Sequence, residues 1–183
     1  MESVAGLVDE GYQVALTHGN GPQVGNLMIK NQLARDVVPA VPLDWCVAQT
    51  QATIGYLILS CLERALRGRG IRRAVAAVIT RVLVDRDDPA FQHPTKPIGR
   101  HVQEEEARAH VAEGETWAEA GPEGWRRLVP SPTPREILDV YSAMRLLDDG
   151  NVVVCAGGGG IPMVREGDRL VGVEAVLDKD LSA

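Results

Sequence analysis

The chain contains few cysteines, few aromatic residues and no long apolar segment. Three of its 183 residues are cysteine, and aromatic residues make up 4%. Because this count is odd and no Cys-x-x-Cys pair occurs, neither a disulfide framework nor a zinc site is expected, and the three thiols are predicted to be buried. The longest apolar runs, such as residues 54–59, are too short to cross a membrane, and the first residues show no secretory signal pattern. We therefore expect a cytoplasmic protein with no membrane partner.

The chain also lacks an excess of positive charge. Its formal net charge at pH 7 is −6, and its basic residues are interspersed with acidic ones. Because nucleic acid binding requires a basic face, no nucleic-acid partner is expected. The hydrophobic fraction of 45% is enough for a sizeable core, and the length corresponds to about one domain. An anionic ligand would need a local basic pocket in this acidic globular protein.

Lysine is scarce among the basic residues. Only Lys30, Lys96 and Lys179 are lysine, whereas the other sixteen of the 19 basic residues are arginine. A surface ion pair accepts either side chain, but a compact ammonium that contacts a phosphate at one point is not replaced by a planar guanidinium. Each lysine is therefore a candidate functional residue, and chance retention on the surface is the equally weighted alternative.

Alternating strand and helix patterns predict an α/β fold. Short valine-rich runs are typical of central parallel strands that are covered on both faces, and the helical patterns between them predict crossover connections. We expect a mostly parallel sheet sandwiched by helices. The strands are expected at 12–17, 73–80 and 151–156, and the helices at the start of the chain and at 23–34, 44–67 and 134–149.

Residues 85–130, here called the excursion, interrupt this alternation. They carry ten acidic side chains and five prolines, so they cannot build a core of their own size. We expect a protruding subdomain, partly hairpin and partly short helix, and such segments often act as lids. The excursion divides the chain into residues 1–84, 85–130 and 131–183. Because the pattern begins with a helix and stops where a helix should begin, we expect a piece of a larger domain.

Two glycine-rich loops follow predicted strands. The first is His18-Gly19-Asn20-Gly21-Pro22, which opens a helix, and the second is Gly157–Gly160. Glycines at such a junction let backbone N–H groups approach an anion, and the carboxyl ends of parallel strands meet at one sheet edge. The first loop matches neither the Walker A nor the dinucleotide pattern. A shared anion site is predicted, with a tight turn and a flexible connector as the open alternatives.

Two of the lysines lie in distinctive surroundings. Lys179 stands between two carboxylates in Asp178-Lys179-Asp180, and Lys96 lies between two prolines in Pro94-Thr95-Lys96-Pro97. Either cation could stabilise a transferring phosphoryl group, although solvated loops would look the same. The four histidines have no metal-ligand spacing with the cysteines, so no metal site is assigned.

Together these segments resemble the carbamate kinases of the amino-acid-kinase superfamily. The resemblance runs through essentially the whole chain in the family's order. It is carried by Thr17–Gly25, Ala48–Tyr56, Asp88–Phe91, Pro94–Gly99, Trp125–Pro132, Gly157–Pro162 and Asp178–Asp180.

The resemblance implies an amino-acid-kinase-like fold with a protruding lid and a reversible transfer of a phosphoryl group between ATP and carbamate. It also implies Mg²⁺, a link to arginine catabolism through ATP synthesis from carbamoyl phosphate and ADP, and a homodimer. Residues 1–84 would form the acceptor side, 85–130 the lid, and 131–183 the return to the sheet with the start of the nucleotide-binding half.

The family's site residues can be transferred by position. The catalytic residues implied are Lys96, which would reach in from the lid, and Lys179 with its organising Asp180. The residues implied to bind substrate or phosphate are Gly19, Asn20, Gly21, Gly157, Gly158, Gly159 and Asp178.

The sequence also departs from the family. The family's first strand, with its Gly-Gly-Asn loop, and the half that holds the adenine have no counterpart, so the fragment is expected to be inactive alone. Arg100-His101-Val102 stands where the family has Pro-Phe-Tyr. Another amino-acid kinase, acting on acetylglutamate or a nucleoside monophosphate, is disfavoured by the Pro94–Gly99 motif. A non-catalytic protein that binds an anion, or that pairs with a subunit through residues 44–67, is the remaining alternative.

Overall fold

A computed structural model describes residues 1–182. Helices and strands alternate along the first and last parts of the chain, as the sequence pattern predicts. The helices are α1 (Glu2–Asp9), α2 (Gly21–Ala34), α3 (Leu43–Gly68), α4 (Glu104–Ala112), α5 (Val140–Asp148) and α6 (Lys179–Ser182). The strands are β1 (Ala15–Leu16), β2 (Val75–Ala77), β3 (Arg81–Val84), β4 (Lys96–Val102), β5 (Thr116–Glu119), β6 (Trp125–Val129), β7 (Pro134–Ile137), β8 (Val152–Val154), β9 (Ile161–Glu166) and β10 (Arg169–Gly172).

A three-stranded parallel sheet lies at the centre of the fold, in the order β1-β8-β2. The valines of β8 are buried, as expected for a strand covered on both faces. Helices α1 and α3 pack against this sheet, and Leu62 and Leu66 of α3 are fully buried there. The α/β fold class predicted from the sequence is confirmed.

Residues 75–84 and residues 152–166 pair in parallel twice. In the first pairing β2 lies beside β8, and in the second β3 lies beside β9, with Val82 opposite Pro162. Between β8 and β9 the chain forms the second glycine loop, which together with Ala156 spans residues 156–160. The loop therefore has strands on both sides of it, which fixes its two ends.

The sequence pattern missed part of the second sheet, in which the strand order is β10-β9-β3-β7. The helix predicted over 134–149 begins only at Val140, because residues 134–137 instead form β7, antiparallel to β3. Proline is tolerated at the first residue of a strand, and Pro134 lies at that position.

The excursion forms a third sheet of its own, antiparallel in the order β4-β6-β5, with α4 packed beside it. Its connection to the rest of the molecule is apolar on one side, where Ile98 and Val129 pack against Val24 and Met28. Helix α2 approaches β4 so closely that a Cβ on Gly25 would lie 3.3 Å from the Cα of Gly99.

The prediction of three buried thiols is wrong for Cys61, which is exposed on α3, while Cys46 is buried and Cys155 is partly buried. In this half of α3 the buried residues are Leu62, Ala65 and Leu66, and Cys61 lies at the edge of the stripe that they form. Across residues 1–182, no helix is long and apolar enough to cross a membrane.

Candidate functional site

The two glycine loops meet at the same end of the parallel sheet. The backbone N–H of Gly158 donates a hydrogen bond of 2.8 Å to the carbonyl oxygen of His18. The side chain of Thr17 donates to the carbonyl oxygen of Ala156. Both loops follow strands that pair with each other, β1 and β8, so their meeting follows from the sheet topology. The shared edge predicted from the sequence is present in the structure.

The second loop contains no room for side chains. A Cβ on Gly157 would lie 2.3 Å from Nε2 of His18, and one on Gly158 would lie 2.2 Å from Nδ2 of Asn20. Gly158 also has a positive φ of 65°, a conformation that favours glycine. The close contact with the first loop therefore requires these glycines, and a flexible connector would not.

A cavity of about 260 Å³ opens where the loops meet the start of the excursion. Eight of the ten predicted site residues line it, from four separate parts of the chain. Those eight are Gly19, Asn20, Gly21, Lys96, Gly158, Asp178, Lys179 and Asp180. Gly157 and Gly159 do not line the cavity, although they flank Gly158 and are buried as it is.

Lys96 reaches the cavity from the start of β4 and contacts the opposite wall. Its Nζ donates to Oδ2 of Asp178 over 3.1 Å, and each side chain is 39% exposed. The pKa of Asp178 is lowered, first by the backbone N–H of Asp180 that donates to Oδ1 and then by Lys96. This ion pair joins the excursion to the segment before α6.

Lys179 enters the cavity wall from the first residue of α6. Its ammonium donates to the carboxylate of Asp180, and this bond raises the pKa of Lys179. Both side chains are exposed. The two lysines that the sequence singled out therefore come from different elements and line one cavity, whereas Lys30 lies exposed on α2 outside it.

The N-terminus of α2 supplies further positive potential. Asn20 occupies the N-cap position without a side-chain capping bond, and Pro22 lies in the first turn. The first N–H groups of a helix have no intrahelical partner, and the helix dipole places roughly half a positive charge there. The lysines and this helix end offset the charge of Asp178 and Asp180, so a phosphate-sized anion suits the cavity.

Sequence reasoning missed a set of buried polar side chains beneath the loops. Thr50 is 1% exposed and accepts a hydrogen bond from Nδ2 of Asn20. Gln51 and Thr80 are also buried and bond to the second loop. The signal in the sequence was a Thr-Gln pair on the otherwise apolar buried face of α3.

A resident metal ion finds no complete ligand set at this site. Within the described residues, no group of three or more His, Cys, Asp or Glu side chains could hold one. Asp178 and Asp180 are the carboxylates of the cavity wall, and both already pair with lysines. These residues alone do not fit a protein-held Mg²⁺.

A parallel α/β sheet with two glycine loops and two lysines at one edge is an arrangement of the amino-acid-kinase fold. No protein-family model matches the chain. The carbamate kinase of Pyrococcus horikoshii is 42% identical over 99% of this chain and 59% of its own length. Carbamate kinase 2 of Enterococcus faecalis is 45% identical over 98% of the chain and 58% of its own length.

A solved structure gives the same relationship. The carbamate kinase of Giardia lamblia bound to AMP-PNP superposes with a TM-score of 0.89 at 40% identity, over 99% of this chain and 59% of that one. The chain therefore belongs to the carbamate kinase family, and it spans about three-fifths of the length of the relatives it matches.

Proposed function

We propose that this chain forms the acceptor side of a carbamate kinase site. In that reaction a phosphoryl group passes reversibly between carbamoyl phosphate and ADP, giving carbamate and ATP. The observation that supports this function is that eight of the ten predicted site residues line one cavity. The proposal includes a role in arginine catabolism, a cytoplasmic location and a site without nucleic-acid or membrane partners.

Each residue of the cavity has a distinct task in this proposal. Gly19, Asn20 and Gly21 present the N-terminus of α2 to the anion, and Gly158 closes the opposite side. Lys96 binds carbamoyl phosphate rather than the nucleotide. Lys179 stabilises the charge that develops on the transferring phosphoryl group, because a fixed cation is most effective where charge appears.

The two aspartates act through the lysines. Asp178 holds Lys96 at 3.1 Å and keeps it directed at the cavity, while Asp180 orients Lys179. Gly157 and Gly159 contribute by their lack of side chains, which lets the second loop pack closely against the first.

The second substrate in this proposal is ATP or ADP. The Giardia lamblia relative was solved with AMP-PNP, a nucleotide analogue. Mg²⁺ would accompany the nucleotide phosphates, which are its usual oxygen ligands together with water, and would neutralise part of their charge. The carboxylates of this chain are committed to its lysines, so they do not replace those ligands.

The excursion, residues 85–130, is the lid in this proposal. Residues 1–84 form the acceptor side, and 131–183 return the chain to the sheet and begin the nucleotide-binding half. The lid has its own sheet and meets the cavity through Lys96 at the start of β4. Its movement would carry that lysine toward or away from the reactants.

A chimera tests the proposed reaction directly. Residues 1–183 replace the matching three-fifths of the Pyrococcus horikoshii enzyme, and ATP formation from ADP and carbamoyl phosphate is measured. We expect turnover by the chimera and none by the 183 residues alone. A chimera that folds but phosphorylates acetylglutamate or a nucleoside monophosphate, and not carbamate, would identify another amino-acid kinase.

A second part of the proposal concerns subunit pairing. Helix α3 exposes three large apolar side chains, Trp45, Tyr56 and Leu57, each more than half exposed. Large apolar side chains exposed on one helix are typical of a subunit interface. We propose that a second copy of the chain covers these side chains and forms a homodimer.

Sedimentation measures this pairing. Tyr56→Glu should convert the dimer to a monomer, whereas the control Leu33→Glu, at a highly exposed position on α2, should not. A wild-type chain that sediments as a monomer at high concentration would contradict the dimer and leave the cavity unaffected.

A further inference from the structure

The buried amide of Gln51 makes three hydrogen bonds beneath the cavity. Its Nε2 donates to the carbonyl oxygen of Thr80 over 3.2 Å and to that of Gly157 over 3.0 Å. Its Oε1 accepts the backbone N–H of Thr80 over 2.8 Å. The side chain is 4% exposed, so solvent cannot replace these bonds. All hydrogen-bonding groups of the amide except one lone pair are therefore used.

Thr80 extends this connection to the start of the second loop. Its Oγ1 accepts the backbone N–H of Ala156 over 2.9 Å and donates to the carbonyl oxygen of Val78. Ala156 has a φ of 51°, which is unfavourable for a residue with a Cβ. The hydrogen bond from Ala156 to Thr80 helps to offset that strain, because it is made only in this conformation.

The neighbouring residue of α3 bonds to the first loop. Thr50 accepts the hydrogen bond from Asn20 over 2.9 Å and donates to the carbonyl oxygen of Val47. Consecutive residues of one helix thus fix both glycine loops, Thr50 the first and Gln51 the second. The helix backbone therefore supports the spacing of the two loops, together with their direct hydrogen bonds.

We propose that Gln51 is a positioning residue that holds the second glycine loop at the depth required for anion binding in the cavity. The inference rests on the proposed function, because it assigns the loop's geometry to that anion. Gln51 does not touch the anion itself. A carboxamide is needed, since the site demands two donors toward carbonyl oxygens and one acceptor toward an N–H group.

The substitution Gln51→Glu removes both amide donors, keeps an acceptor oxygen and, when ionised, adds a negative charge. An ionised carboxylate would face the carbonyl oxygens of Thr80 and Gly157 and repel both, so the loop should move. When protonated, the new side chain regains one donor and restores one of these bonds. Burial raises the pKa of such a carboxyl group, so the change should occur within an accessible pH range.

Sulfate is a suitable probe of the wild-type chain and its variants, because its charge is constant over this pH range. At about pH 8 we expect Gln51→Glu to weaken sulfate binding by about ten- to a hundredfold, as the hydrogen bond to Gly157 of the loop and the one to Thr80 are both lost. At about pH 5.5 the deficit should shrink to within a few-fold. Gln49→Glu, on the exposed face of the same helix, is the matched control and should bind like wild type at both pH values.

The control also accounts for other titrating groups. His18 lies against Gly157, and Cys155 precedes the loop, so both could change sulfate binding with pH. The ratio of dissociation constants for wild type and Gln49→Glu measures their effect, and Gln51→Met, which adds no charge beside His18, separates it from the loss of the hydrogen bonds. Equal sulfate affinity of folded Gln51→Glu and wild type at about pH 8 would overturn the positioning role.

Two further measurements test the positioning role of Gln51 separately from the proposed function. If the wild-type chain binds no sulfate, the proposed function fails. The rate of amide hydrogen exchange at Gly158 then tests whether Gln51 positions the loop. Faster exchange in Gln51→Glu but not in Gln49→Glu supports positioning, and unchanged exchange contradicts it. If Gln51→Glu does not fold, Gln51→Met removes all three hydrogen bonds without adding a charge, and its sulfate affinity is measured in the same way.

Discussion

Two walls enclose the cavity, and different kinds of interaction hold them in place. The glycine-loop wall consists of residues 19–21, 158 and 178–180, and the excursion wall of residues 96–98. The glycine loops are held by hydrogen bonds with the buried side chains of Thr50, Gln51 and Thr80, all 4% exposed or less. The excursion contacts the rest of the molecule partly through apolar packing and partly through exposed ion pairs. Among these pairs is Arg35–Glu113, in which each side chain is 54% exposed.

This difference matters because exposure decides what a polar contact contributes. A buried hydrogen bond that is lost leaves a group without a partner, which costs about 1 to 3 kcal/mol, whereas an exposed ion pair contributes about 0 to 1 kcal/mol. The loop wall is therefore a fixed cradle. The ion pairs of the excursion hold it less firmly, so the apolar packing of Ile98 and Val129 carries most of its attachment, and Lys96 lies beside that packing.

The largest expected effect is on the glycine-loop wall. Gly158→Ala would introduce a Cβ at 2.2 Å from Asn20 at a φ of 65°. We expect a loss of about 2 to 5 kcal/mol in the free energy of unfolding, from backbone strain and overpacking together. Gly167→Ala, at a similar φ but in open space, should cost only the strain, about 1 to 2 kcal/mol.

Urea denaturation of the two variants measures this difference. Equal losses for Gly158→Ala and Gly167→Ala would mean that the second loop is not tightly packed against Asn20. The comparison between the two walls would then lose its basis.

The second effect separates the lysines by the wall on which each lies. Lys179 is attached to the loop wall through α6, so in the active chimera Lys179→Ala should lower kcat by about a hundred- to a thousandfold with little change in KM. Lys179→Arg should not restore the rate, because a planar guanidinium cannot place a compact charge at the same point. Wild-type kcat in either variant would remove Lys179 from the catalytic residues.

Much of the loop wall could be predicted from the sequence. Glycines after strands and the acidic-lysine-acidic triplet mark the segments that line the cavity, and these signals are local. The buried bonds of Gln51 were not predictable, because they join residues 29 and 106 positions apart. The β7 strand was also missed, since its pairing with β3 depends on tertiary contacts rather than on local periodicity.

The third effect tests a partly buried ion pair on the loop side. Asp139 accepts the backbone N–H and the guanidinium of Arg81, and its side chain is 16% exposed. The side-chain hydrogen bond from Arg81 is the main reason that the pKa of Asp139 is lowered. Asp139→Asn should destabilise the chain by roughly 1 to 2 kcal/mol at neutral pH, since Arg81 is itself partly exposed.

The pH dependence of this loss has a definite sign. The folded pKa lies below the unfolded value of about 3.9, so the stabilisation is present above that value and disappears as pH falls through the folded pKa. Urea midpoints of wild type and Asp139→Asn should therefore converge in acid. Glu136→Gln, at an exposed position on β7, serves as the control and should show no such convergence.

The fourth effect concerns Lys96 on the excursion wall. In the chimera, Lys96→Ala should raise KM for carbamoyl phosphate by about tenfold, the value of one charge-assisted hydrogen bond, and leave KM for ADP nearly unchanged. Lys30→Ala, the third lysine and distant from the cavity lining, is the matched control. A larger change in KM for ADP than for carbamoyl phosphate would place Lys96 at the nucleotide instead.

The smallest effect should come from the exposed contacts of the excursion. Arg35→Gln breaks the 3.2 Å ion pair with Glu113. Because both side chains are solvated, we expect a loss of no more than about 0.5 kcal/mol in the free energy of unfolding, and less at high salt. Arg145→Gln, at an exposed position on α5, should cause a similarly small loss in the free energy of unfolding. A salt-sensitive loss well above 1 kcal/mol for Arg35→Gln alone would mean that α2 and α4 hold the excursion firmly, and Lys96 would then belong to a rigid wall as Lys179 does.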